Sequence, residues 1–435
     1  MKISIIGSGH VGLVTGVCFA EIGHQVLCVD NDLEKLTLLK QGKSPFYEPG
    51  LNPLVRKHLK VTKRLLFSPD IREAVAKTKV VFIAVGTPPK ASGQADLSYV
   101  EMVSREIAHA MTSYRLIVEK STVPVETGEW VCHTIRHSLR KKIPFDVASN
   151  PEFLREGQAI EDFMHPDRVV IGIASKKAEG ILREIYRPLK APLVVTDIKS
   201  AEIIKHASNS FLSMKISFIN AVASLAEKVG ADVGKIAEGV GMDRRIGRRF
   251  LDAGVGFGGS CFAKDLSAFI HIAEKAGADF QLLKEVQRIN QHQREQIVKK
   301  IEHAVWNLRG KTIGILGLSF KPETDDLRDA PAVDVIRLLQ REGAHIKVYD
   351  PAAMENAKKI LTNVVYCGDA YEAARKADCL VLMTEWKEFR QLKRARLKSL
   401  MSHPVIVDGR NLFDPAQMKK AGFRYYSIGR PVVFS

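Results

Sequence analysis

In its N-terminal and C-terminal parts, the chain contains short runs of β-branched residues that alternate with helical patterns of apolar positions. In the N-terminal part, the predicted strands are residues 2–6, 24–29, 79–85, 115–120 and 145–149. The run at 79–85 is almost wholly apolar, which is typical of a parallel strand buried on both faces. Strands separated by helical patterns in this way predict βαβ units and a parallel, doubly wound sheet.

The last third of the chain repeats this alternation. Predicted strands at residues 311–316 and 344–349 flank a helical pattern at 333–341, and two more strands follow at 379–383 and 405–408. We therefore predict an α/β protein with two Rossmann-like doubly wound domains. The second domain lacks the glycine pattern of a dinucleotide site, which suits a nucleotide bound as substrate rather than as cofactor.

Two long helical patterns lie between these domains, at residues 201–229 and 282–308. We expect three regions: an N-terminal dinucleotide-binding domain at 1–198, a central long-helix domain at 199–305, and a C-terminal Rossmann-like domain at 306–435. Long helices this apolar need a partner surface, so we hypothesise that the chain dimerises through them.

The most specific local motif is Gly7-Ser-Gly9-His-Val-Gly12, which lies between a predicted strand and a predicted helix. Glycine at these three positions permits a tight turn, close approach of a pyrophosphate, and packing of helix against strand. Asp30 closes the next strand, where a carboxylate binds the ribose hydroxyls and repels a 2′-phosphate. The motif predicts NAD rather than NADP, with Lys35 lying either over the adenosine or in solvent.

Four glycines precede a single cysteine within residues 254–261, and an amphipathic helical pattern follows. A cysteine where a helix begins has its sulfur near unsatisfied backbone N–H groups and the positive end of the helix dipole, which favours the thiolate. Cys261 is therefore a candidate nucleophile. Taken alone, the stretch also fits a small packing residue beside a flexible turn. If the cysteine is catalytic, we expect the glycines to let a ligand lie against the backbone.

Polar side chains follow several predicted strands, and ligands collect at the carboxyl ends of parallel strands. Thr87 and Thr122 each follow a buried strand, where a threonine either binds a ligand or caps a turn or helix. Glu152 and Glu156 follow the strand at 145–149, and they share a face if their segment turns helically. Such a carboxylate can handle a proton or a water, although surface helices often carry the same spacing.

Lys205 and Asn209 lie four residues apart on the first long helix, among apolar, serine and alanine neighbours. A lysine that faces a cavity has its pKa lowered by burial and can donate or accept a proton. The alternative is a lysine whose ammonium group reaches solvent at the edge of the helix. The spacing alone leaves both open.

Composition limits the function without naming it. The 435 residues carry a formal net charge of +16, with basic segments at 244–249 and 387–398. Neither segment lies in a nucleic-acid-binding module and no apolar run is long enough to cross a bilayer, so we predict no nucleic-acid and no membrane partner. Six scattered cysteines without metal-ligand spacing predict a reduced, cytoplasmic protein with no metal site.

Together the motifs resemble those of the nucleotide-sugar 6-dehydrogenases, the UDP-glucose/GDP-mannose dehydrogenase family. The matching segments are GSGHVG at 7–12, GTP at 86–88, STVPVETG at 121–128, NPEFLREG at 150–157, DRRIGRRFLDAGVGFGGSCFAKD at 243–265, GLSFKPETDDLRDAP at 317–331 and DGRN at 408–411. The resemblance implies two successive oxidations of a primary alcohol to a carboxylate, with two NAD and one water. The implied substrate is UDP-glucose, and another nucleotide sugar such as GDP-mannose is the alternative.

The resemblance also implies catalytic roles. Cys261 would hold the intermediate aldehyde as a thiohemiacetal and then as a thioester. Lys205 and Asn209, with an ordered water, would accept the alcohol proton and stabilise the oxyanion. The other implied catalytic residues are Thr122, Glu152, Glu156 and Asp265, with Glu152 favoured as the base for thioester hydrolysis. Ala263 departs from the proline common in relatives, which removes a residue favoured in a first helical turn but no catalytic group.

Binding residues follow from the same similarity. NAD would contact Gly7, Gly9, His10, Val11, Gly12, Asp30, Lys35, Thr87, Thr122, Glu156, Lys264 and Arg328. The UDP-sugar would contact Glu152, Phe153, Leu154, Arg155, Glu156, Lys205, Asn209, Arg245, Phe250, Asp252, Gly254, Gly256, Gly258, Lys321 and Arg410. Arg245 would reach the substrate of the neighbouring subunit, so a homodimer is implied, and the domain at 306–435 would bind the UDP-sugar.

Overall fold

The structure is a computed structural model that describes residues 1–88, 90 and 94–434. The chain forms two compact units. The first unit consists of Met1–Ser208 and Ser267–Ala278, and the second consists of Asn209–Leu266 and Asp279–Ser435.

The first unit is built on a sheet of eight strands within the described residues. These strands are β1 (Lys2–Ile6), β2 (Gln25–Val29), β3 (Leu65–Ser68), β4 (Val80–Ile83), β5 (Arg115–Glu119), β6 (Phe145–Ser149), β7 (Val169–Ile173) and β8 (Leu193–Thr196). Their order is β3-β2-β1-β4-β5-β6-β7-β8. Neighbouring strands pair in parallel, except that β7 runs antiparallel to β6. The strand order reverses beside β1, where dinucleotides bind in sheets of this kind.

Helices cover both faces of this sheet. They are α1 (His10–Glu21), α2 (Leu33–Lys40), α3 (Leu51–Arg56), α4 (Ile71–Lys77), α5 (Ser98–Ala110), α6 (Thr127–Ser138), α7 (Ala159–Met164) and α8 (Lys176–Tyr186). A π-helical turn at Lys57–Val61 and a 3₁₀ turn at Arg187–Leu189 join them. Successive residues of β4 alternate between two apolar clusters, so Val80 and Phe82 face one core while Val81 and Ile83 face the other. A strand buried on both faces confirms the interpretation of its apolar run.

The second unit contains a parallel sheet of six strands among the residues described. The strands are β9 (Thr312–Leu316), β10 (His345–Tyr349), β11 (Val364–Tyr366), β12 (Cys379–Leu382), β13 (Val405–Asp408) and β14 (Arg424–Ser427), in the order β11-β10-β9-β12-β13-β14. Its helices are α10 (Val233–Met242), α12 (Gln281–Val305), α13 (Pro331–Arg341), α14 (Met354–Ala357), α15 (Ala370–Ala374), α16 (Lys387–Arg390), α17 (Arg394–Leu400) and α18 (Pro415–Lys420). The predicted fold, with two Rossmann-like α/β domains and long central helices, is confirmed.

Two helices belong to both units. Helix α9 (Ile198–Val229) leaves the first unit after Ser208, and α11 (Ser260–Lys275) enters it at Ser267. The long helix predicted at 282–308 is α12, and its apolar residues Ile297 and Ile301 lie in the core of the second unit. This helix therefore uses its apolar face inside its own unit, contrary to the hypothesis that both long helices present such a face to a partner.

Unlike an ordinary surface helix, α9 buries many polar side chains and exposes large apolar ones. Its buried residues include Glu202, Lys205, His206, Asn209, Ser213, Ser217 and Asn220. Phe211, Phe218 and Leu225, spaced seven residues apart, are 58%, 54% and 62% exposed. A helix that buries polar groups and exposes aromatic ones is using its inner face for contacts more specific than apolar packing.

Among the residues described, no helix is both long and apolar enough to cross a membrane.

Candidate functional site

The dinucleotide motif forms the turn between β1 and α1. A Cβ atom at position 12 would overlap the carbonyl oxygen of Gly7, whereas a Cβ atom at position 9 would have no described neighbour within 4 Å. The space beside Gly9 is therefore open, and Val11 follows in the first turn of α1. Within the described part of the chain, α1 has neither a side-chain cap nor an acidic residue in that turn. Its N–H groups are available to a pyrophosphate, so these residues fit NAD.

Asp30 follows β2 beside this turn, as the motif requires. Its buried carboxylate accepts hydrogen bonds from the backbone N–H groups of Ser8, at 2.8 Å, and of Asp32, at 3.1 Å. Lys35 Nζ lies 3.0 Å from Asp30 Oδ2. The lysine thus forms an ion pair with the carboxylate that is predicted to bind the ribose, an arrangement that neither of the two sequence-based alternatives described.

Glu48 is a buried residue of this site that the sequence analysis missed. One of its carboxylate oxygens lies 2.9 Å from His10 Nε2 and accepts from Gly157 N at 2.7 Å, and the other accepts from Ala159 N at 2.9 Å. The carboxylate therefore ties the start of α1 to the segment at 150–157. The sequence signal was an acid in the turn-forming run Tyr-Glu-Pro-Gly, which by itself predicts only a loop.

Thr87 and Thr122 lie together at the carboxyl ends of β4 and β5. The hydroxyl of Thr87 donates to the carbonyl oxygen of Thr122 at 2.9 Å. Thr87 therefore bonds to the neighbouring loop and does not cap a helix, and the two predicted cofactor-binding residues are fixed relative to each other.

Glu152 and Lys205 form a buried ion pair. Lys205 Nζ lies 2.8 Å from Glu152 Oε1, and the two side chains are 3% and 4% exposed. Glu152 Oε2 also accepts from the backbone N–H of Leu154 at 2.6 Å. The lysine is thus buried rather than directed to solvent. Charges this deeply enclosed are costly unless paired, so the pairing points to a specific role.

The segment that carries Glu152 is a loop. Residues 150–155 have no regular structure, Glu156 lies in a turn, and α7 begins only at Ala159. The shared helical face suggested for Glu152 and Glu156 is therefore not formed. Arg155, a predicted substrate contact, pairs with Asp162 at 2.6 Å. The ring of Phe153 has the Arg168 guanidinium above it at 3.8 Å.

A second buried lysine supports this loop. Lys120 Nζ donates to Asn150 Oδ1 at 3.1 Å, and the Tyr186 hydroxyl donates to the same oxygen. Burial lowers the pKa of Lys120 to about 8. Lys120 and Glu152 also line a common pocket. No sequence pattern marks Lys120 as functional, because it follows an apolar strand at a position where a lysine is usually exposed.

In the second unit, Cys261 lies in the first turn of α11, which begins at Ser260, one residue before the cysteine rather than just after it. It is partly exposed. Burial raises the pKa of Cys28 to about 12 and also raises the pKa of Cys18, Cys367 and Cys379. Those four cysteines are held as thiols, and Cys132 lies in the middle of α6. The helix start distinguishes Cys261 as the cysteine best placed to act as a thiolate.

Asn209, Lys264 and Asp265 form a hydrogen-bonded group near the start of α11. Asn209 Nδ2 donates to Asp265 Oδ2 at 2.6 Å, and Lys264 Nζ lies 2.7 Å from Asp265 Oδ1. Asn209 and Asp265 are buried. Asp265 thereby fixes the orientation of the Asn209 amide, which the sequence resemblance assigns to the oxyanion.

The glycine loop, residues 254–259, packs closely against its own unit. A Cβ atom at Gly256 would lie 2.5 Å from Asn290 Oδ1, and one at Gly258 would overlap the carbonyl oxygen of Asp329. The Asn290 amide also bonds both the N–H and the carbonyl of Phe257. At these positions the lack of a side chain serves internal packing, a reason other than the ligand approach we expected.

Arg410 anchors the same loop. Its guanidinium donates to the carbonyl oxygens of Met383, Phe320 and Gly256 at 2.8, 3.1 and 3.4 Å. Lys321, another predicted substrate residue, lies partly buried, with its Nζ 5.8 Å from the centroid of the Phe320 ring. Arg410 therefore holds the glycine loop in place, and the substrate contacts of Arg410 and Lys321 stay predictions.

Three further predicted residues of the second unit, Arg328, Asp252 and Arg245, form surface ion pairs. Arg328 pairs with Asp326 at 2.6 Å, Arg248 with Asp252 at 2.6 Å, and Arg245 with Asp243 at 2.6 Å. The Arg245 side chain is 90% exposed. Phe250 has a positive φ of 66°.

No group of three or more metal-ligating side chains occurs among the described residues.

Comparison with known proteins decides the family. Three models of the UDP-glucose/GDP-mannose dehydrogenase family match the chain: its NAD binding domain at residues 1–190, its central domain at 199–292 and its UDP binding domain at 314–415. The chain belongs to the UDP-glucose/GDP-mannose dehydrogenase family. As a member it is an NAD-dependent oxidoreductase, which confirms the enzyme class and the cofactor predicted from the Gly7 motif and Asp30.

Individual relatives agree with this family. The chain is 49% identical to a UDP-glucose 6-dehydrogenase of Bacillus subtilis over 433 residues, covering 99% of this chain and 94% of that protein. It is equally identical to a UDP-glucose 6-dehydrogenase of Rhizobium meliloti, with 99% and 100% covered. A UDP-glucose dehydrogenase structure from Pyrobaculum islandicum superposes with a TM-score of 0.90 at 41% identity, covering 94% of each chain.

Proposed function

We propose that this protein oxidises UDP-glucose to UDP-glucuronate in two NAD-dependent steps. One UDP-glucose, two NAD⁺ and one water would yield one UDP-glucuronate, two NADH and three protons. The observation that carries the proposal is Cys261, a partly exposed thiol in the first turn of α11, in a chain that also holds an NAD-binding turn. A thiol suits this chemistry because its addition makes the aldehyde carbon tetrahedral, which provides the C–H and O–H that the second oxidation removes.

The first oxidation needs a group that accepts the alcohol proton. We assign it to Lys205 and Asn209, acting with an ordered water, because both are buried and each is fixed by a carboxylate partner. Bound NAD supplies the hydride acceptor in both oxidations. The polar groups of the Lys205 and Asn209 side chains would stabilise the oxyanion as it develops.

The second oxidation passes through covalent bonds to Cys261. The sulfur adds to the aldehyde carbon, and the carbonyl oxygen takes up a proton, which gives a thiohemiacetal. Loss of a hydride and of the hydroxyl proton converts it into a thioester. Glu152 then removes a proton from an attacking water; the carbon–sulfur bond breaks and the thiol is restored. Glu156, Thr122 and Asp265 would complete the site by orienting these groups.

The substrate assignment rests on the relatives. Those at 49% identity are UDP-glucose 6-dehydrogenases, and the Pyrobaculum islandicum UDP-glucose dehydrogenase is 41% identical. A GDP-mannose dehydrogenase of Pseudomonas aeruginosa is 33% identical, with 95% of this chain and 97% of that one covered. We also propose that residues 1–198 bind NAD, that 199–305 carry the cysteine and the dimer contacts, and that 306–435 bind the UDP-sugar.

We further propose that the enzyme is a homodimer formed through α9. The exposed apolar stripe of Phe211, Phe218 and Leu225 supports a helix-to-helix contact, because large apolar groups at a seven-residue spacing suit a second helix. The exposed guanidinium of Arg245 would then reach the partner's substrate. All six cysteines are free, which suits a cytoplasmic protein.

The Cys261→Ser variant tests this function. We expect wild-type protein to reduce about two NAD per UDP-glucose consumed, measured by NADH absorbance with chromatography of the sugar nucleotide. Cys261→Ser should lose acid formation by at least about 100-fold while retaining NADH binding, because the serine hydroxyl is a far weaker nucleophile. The matched control, Cys132→Ser, should behave as wild type.

Two results would contradict the proposal. Undiminished UDP-glucuronate formation by Cys261→Ser would remove the thiol from the mechanism. Turnover of GDP-mannose without turnover of UDP-glucose would overturn the substrate.

A further inference from the structure

Glu202 is a buried carboxylate on α9, one turn before Lys205. Its Oε1 accepts a hydrogen bond from Gly128 N and its Oε2 accepts one from Glu126 N, each at 2.8 Å. These donors lie at the start of α6, whose own sequence provides no side-chain cap among the residues described. One carboxylate on α9 thus caps the N-terminus of a second helix with both of its oxygens.

A second side chain of α9 holds the same segment. The ring of His206 is buried, and its Nε2 donates to the carbonyl oxygen of Val123 at 2.8 Å. The backbones also approach closely, since a Cβ atom at Gly128 would lie 2.5 Å from Ile198 Cγ2. Residues 123–128 are therefore docked on the first turns of α9 by two side chains and one close contact.

The opposite end of this segment is fixed to the sheet. Glu119 Oε1 accepts from Ser121 N at 2.9 Å, and the Ser121 hydroxyl donates to the carbonyl of Val85 at 2.8 Å. Thr122 lies between these two anchorages, and its carbonyl accepts from Thr87. The position of Thr122 is thereby coupled to α9 on one side and to the dinucleotide-binding strand ends on the other.

We propose that Glu202 is a positioning residue that holds the segment at 121–128 in register with Lys205. The carboxylate would not touch the reacting atoms; it would keep Thr122 at a fixed distance from the lysine that handles the substrate proton. This inference rests on the proposed function of Lys205 and Thr122. A displacement of about 1 Å between such groups is enough to cost on the order of 100-fold in rate.

A carboxylate suits this task better than its neutral isostere. Each oxygen takes one backbone donor, whereas a glutamine would direct an NH₂ group at one of the two N–H groups. The variant Glu202→Gln therefore breaks one end of the cap without changing side-chain volume. Lys199→Met is the matched control, because Lys199 joins the same two helices through an exposed ion pair with Glu129 at 3.2 Å.

The test compares these variants by amide hydrogen exchange, NADH titration and steady-state kinetics. For Glu202→Gln we expect at least about tenfold faster exchange at Glu126 or Gly128, several-fold weaker NADH binding and about tenfold lower kcat, with a melting temperature close to wild type. Lys199→Met should change none of these. Normal kcat and NADH affinity despite faster exchange would overturn the inference, and so would lost activity with unchanged exchange.

A steric pair keeps the inference testable if Glu202→Gln fails to fold. Gly128→Ala adds a methyl group against Ile198 and should displace the segment, lowering kcat and NADH affinity. Adding Ile198→Ala makes room for that methyl group and should restore both. Failure of the second change to restore them would count against the positioning role. Exchange and NADH affinity are measured without a sugar nucleotide, so they report on Glu202 even if UDP-glucose is not the substrate.

Discussion

Glu119 shows how a single buried acid sets a pH dependence. Its side chain is enclosed at the end of β5, and its Oε2 has no hydrogen-bond partner among the described residues. Burial raises the pKa of Glu119 to about 8, and the neighbouring carboxylate of Glu202 adds to the rise. Burial likewise raises the pKa of Glu202 to about 7. The folded protein therefore keeps the Glu119 proton at pH values where the unfolded chain has lost it, and Glu202 caps α6 as an ionised carboxylate once the pH is above about 7.

This linkage makes the protein less stable as pH rises. Because the pKa of the Glu119 carboxyl is higher in the folded protein than in the unfolded chain, this group stabilises the folded state. Its contribution to stability is fully present below the unfolded pKa and is lost as the pH rises through about 8. We expect the wild-type melting temperature to fall between pH 5.5 and pH 8.5, and the fall to be smaller by roughly 3 °C in Glu119→Gln. Differential scanning calorimetry across this range would measure it.

The control for this experiment is Glu101→Gln, which removes an exposed partner of Arg105 on α5. That variant should show the wild-type dependence on pH. An identical fall in Glu119→Gln and wild type would show that Glu119 does not supply it.

Sequence reasoning at the residue scale found the groups whose chemistry is unusual for their position. Cys261 behind a glycine run and Lys205 on a small-residue helix both carry such a signal. Glu48 and Glu202 do not, because their partners are backbone N–H groups far away in the chain; those of Glu48 are 109 and 111 residues away. No periodicity or motif encodes a bond to a distant peptide group, so these residues were visible only in the structure.

At the scale of elements, α9 separates two tasks by face. Its inner face bonds to specific partners, with Ser217 donating to the Val286 carbonyl and Asn220 accepting from Gly254 N. Its outer face is left apolar. The apolar stripe was predictable from the sequence, but its direction was not, because helical periodicity shows that a face exists without showing what covers it.

Phe218→Glu tests whether the outer face of α9 is a dimer interface. A charge in the centre of the stripe should convert the dimer into a monomer, because a carboxylate cannot be desolvated there without a partner. Sedimentation analysis should show the wild type at twice the chain mass and Phe218→Glu at the chain mass, with similar melting temperatures at high dilution.

Tyr99→Glu is the control, since Tyr99 is a comparably exposed aromatic residue on α5. It should remain dimeric. A wild-type protein that sediments as a monomer, or Phe218→Glu that remains a dimer, would refute the interface.

Helix ends show where local signals fail. The helical pattern predicts a helix as far as residue 308, but α12 ends at Val305 because Trp306 adopts a positive φ of 73°. Sequence rules do not place tryptophan in the left-handed region, so no local pattern predicts the end of this helix. By contrast, the sequence predicts the start of α11 to within two residues, because the glycines before it are ordinary helix-breaking residues.

At the scale of the whole molecule, the two sheets each carry an aspartate after their second strand, and the two aspartates have different surroundings. Asp30 and Asp350 both follow the second strand of their sheets. Asp350 accepts from the backbone N–H groups of Leu318, Ser319, Ala352 and Ala353, and also from the Ser319 hydroxyl and the Trp386 indole. Its carboxylate is fully hydrogen-bonded within its own unit, whereas Asp30 bonds to Ser8 in the NAD-binding turn and forms an ion pair with the partly exposed Lys35.

We therefore expect removal of Asp30 to affect mainly the KM for NAD, and removal of Asp350 to affect mainly the free energy of unfolding. Asp30→Ala should raise the KM for NAD about tenfold or more and lower stability less than Asp350→Ala does, because fewer buried donors lose their partner. Asp350→Ala leaves several buried donors unpaired, so it should reduce the free energy of unfolding by about 3 kcal/mol with little change in the KM for NAD. Denaturant unfolding and initial-rate kinetics measure the two quantities, and equal effects on both would contradict this division.

The fold was predictable because the strand and helix patterns recur in both halves, whereas the chain path between the units was not. The first unit includes residues 267–278, where Phe269 packs on His206 with ring centroids 5.9 Å apart. On the ribosome, the first 208 residues must therefore wait for a segment made almost sixty residues later before their unit is complete. A chain interrupted before that segment carries the NAD-binding turn in an unfinished unit. Synthesis past the cysteine is thus a condition for completing the fold that binds the cofactor.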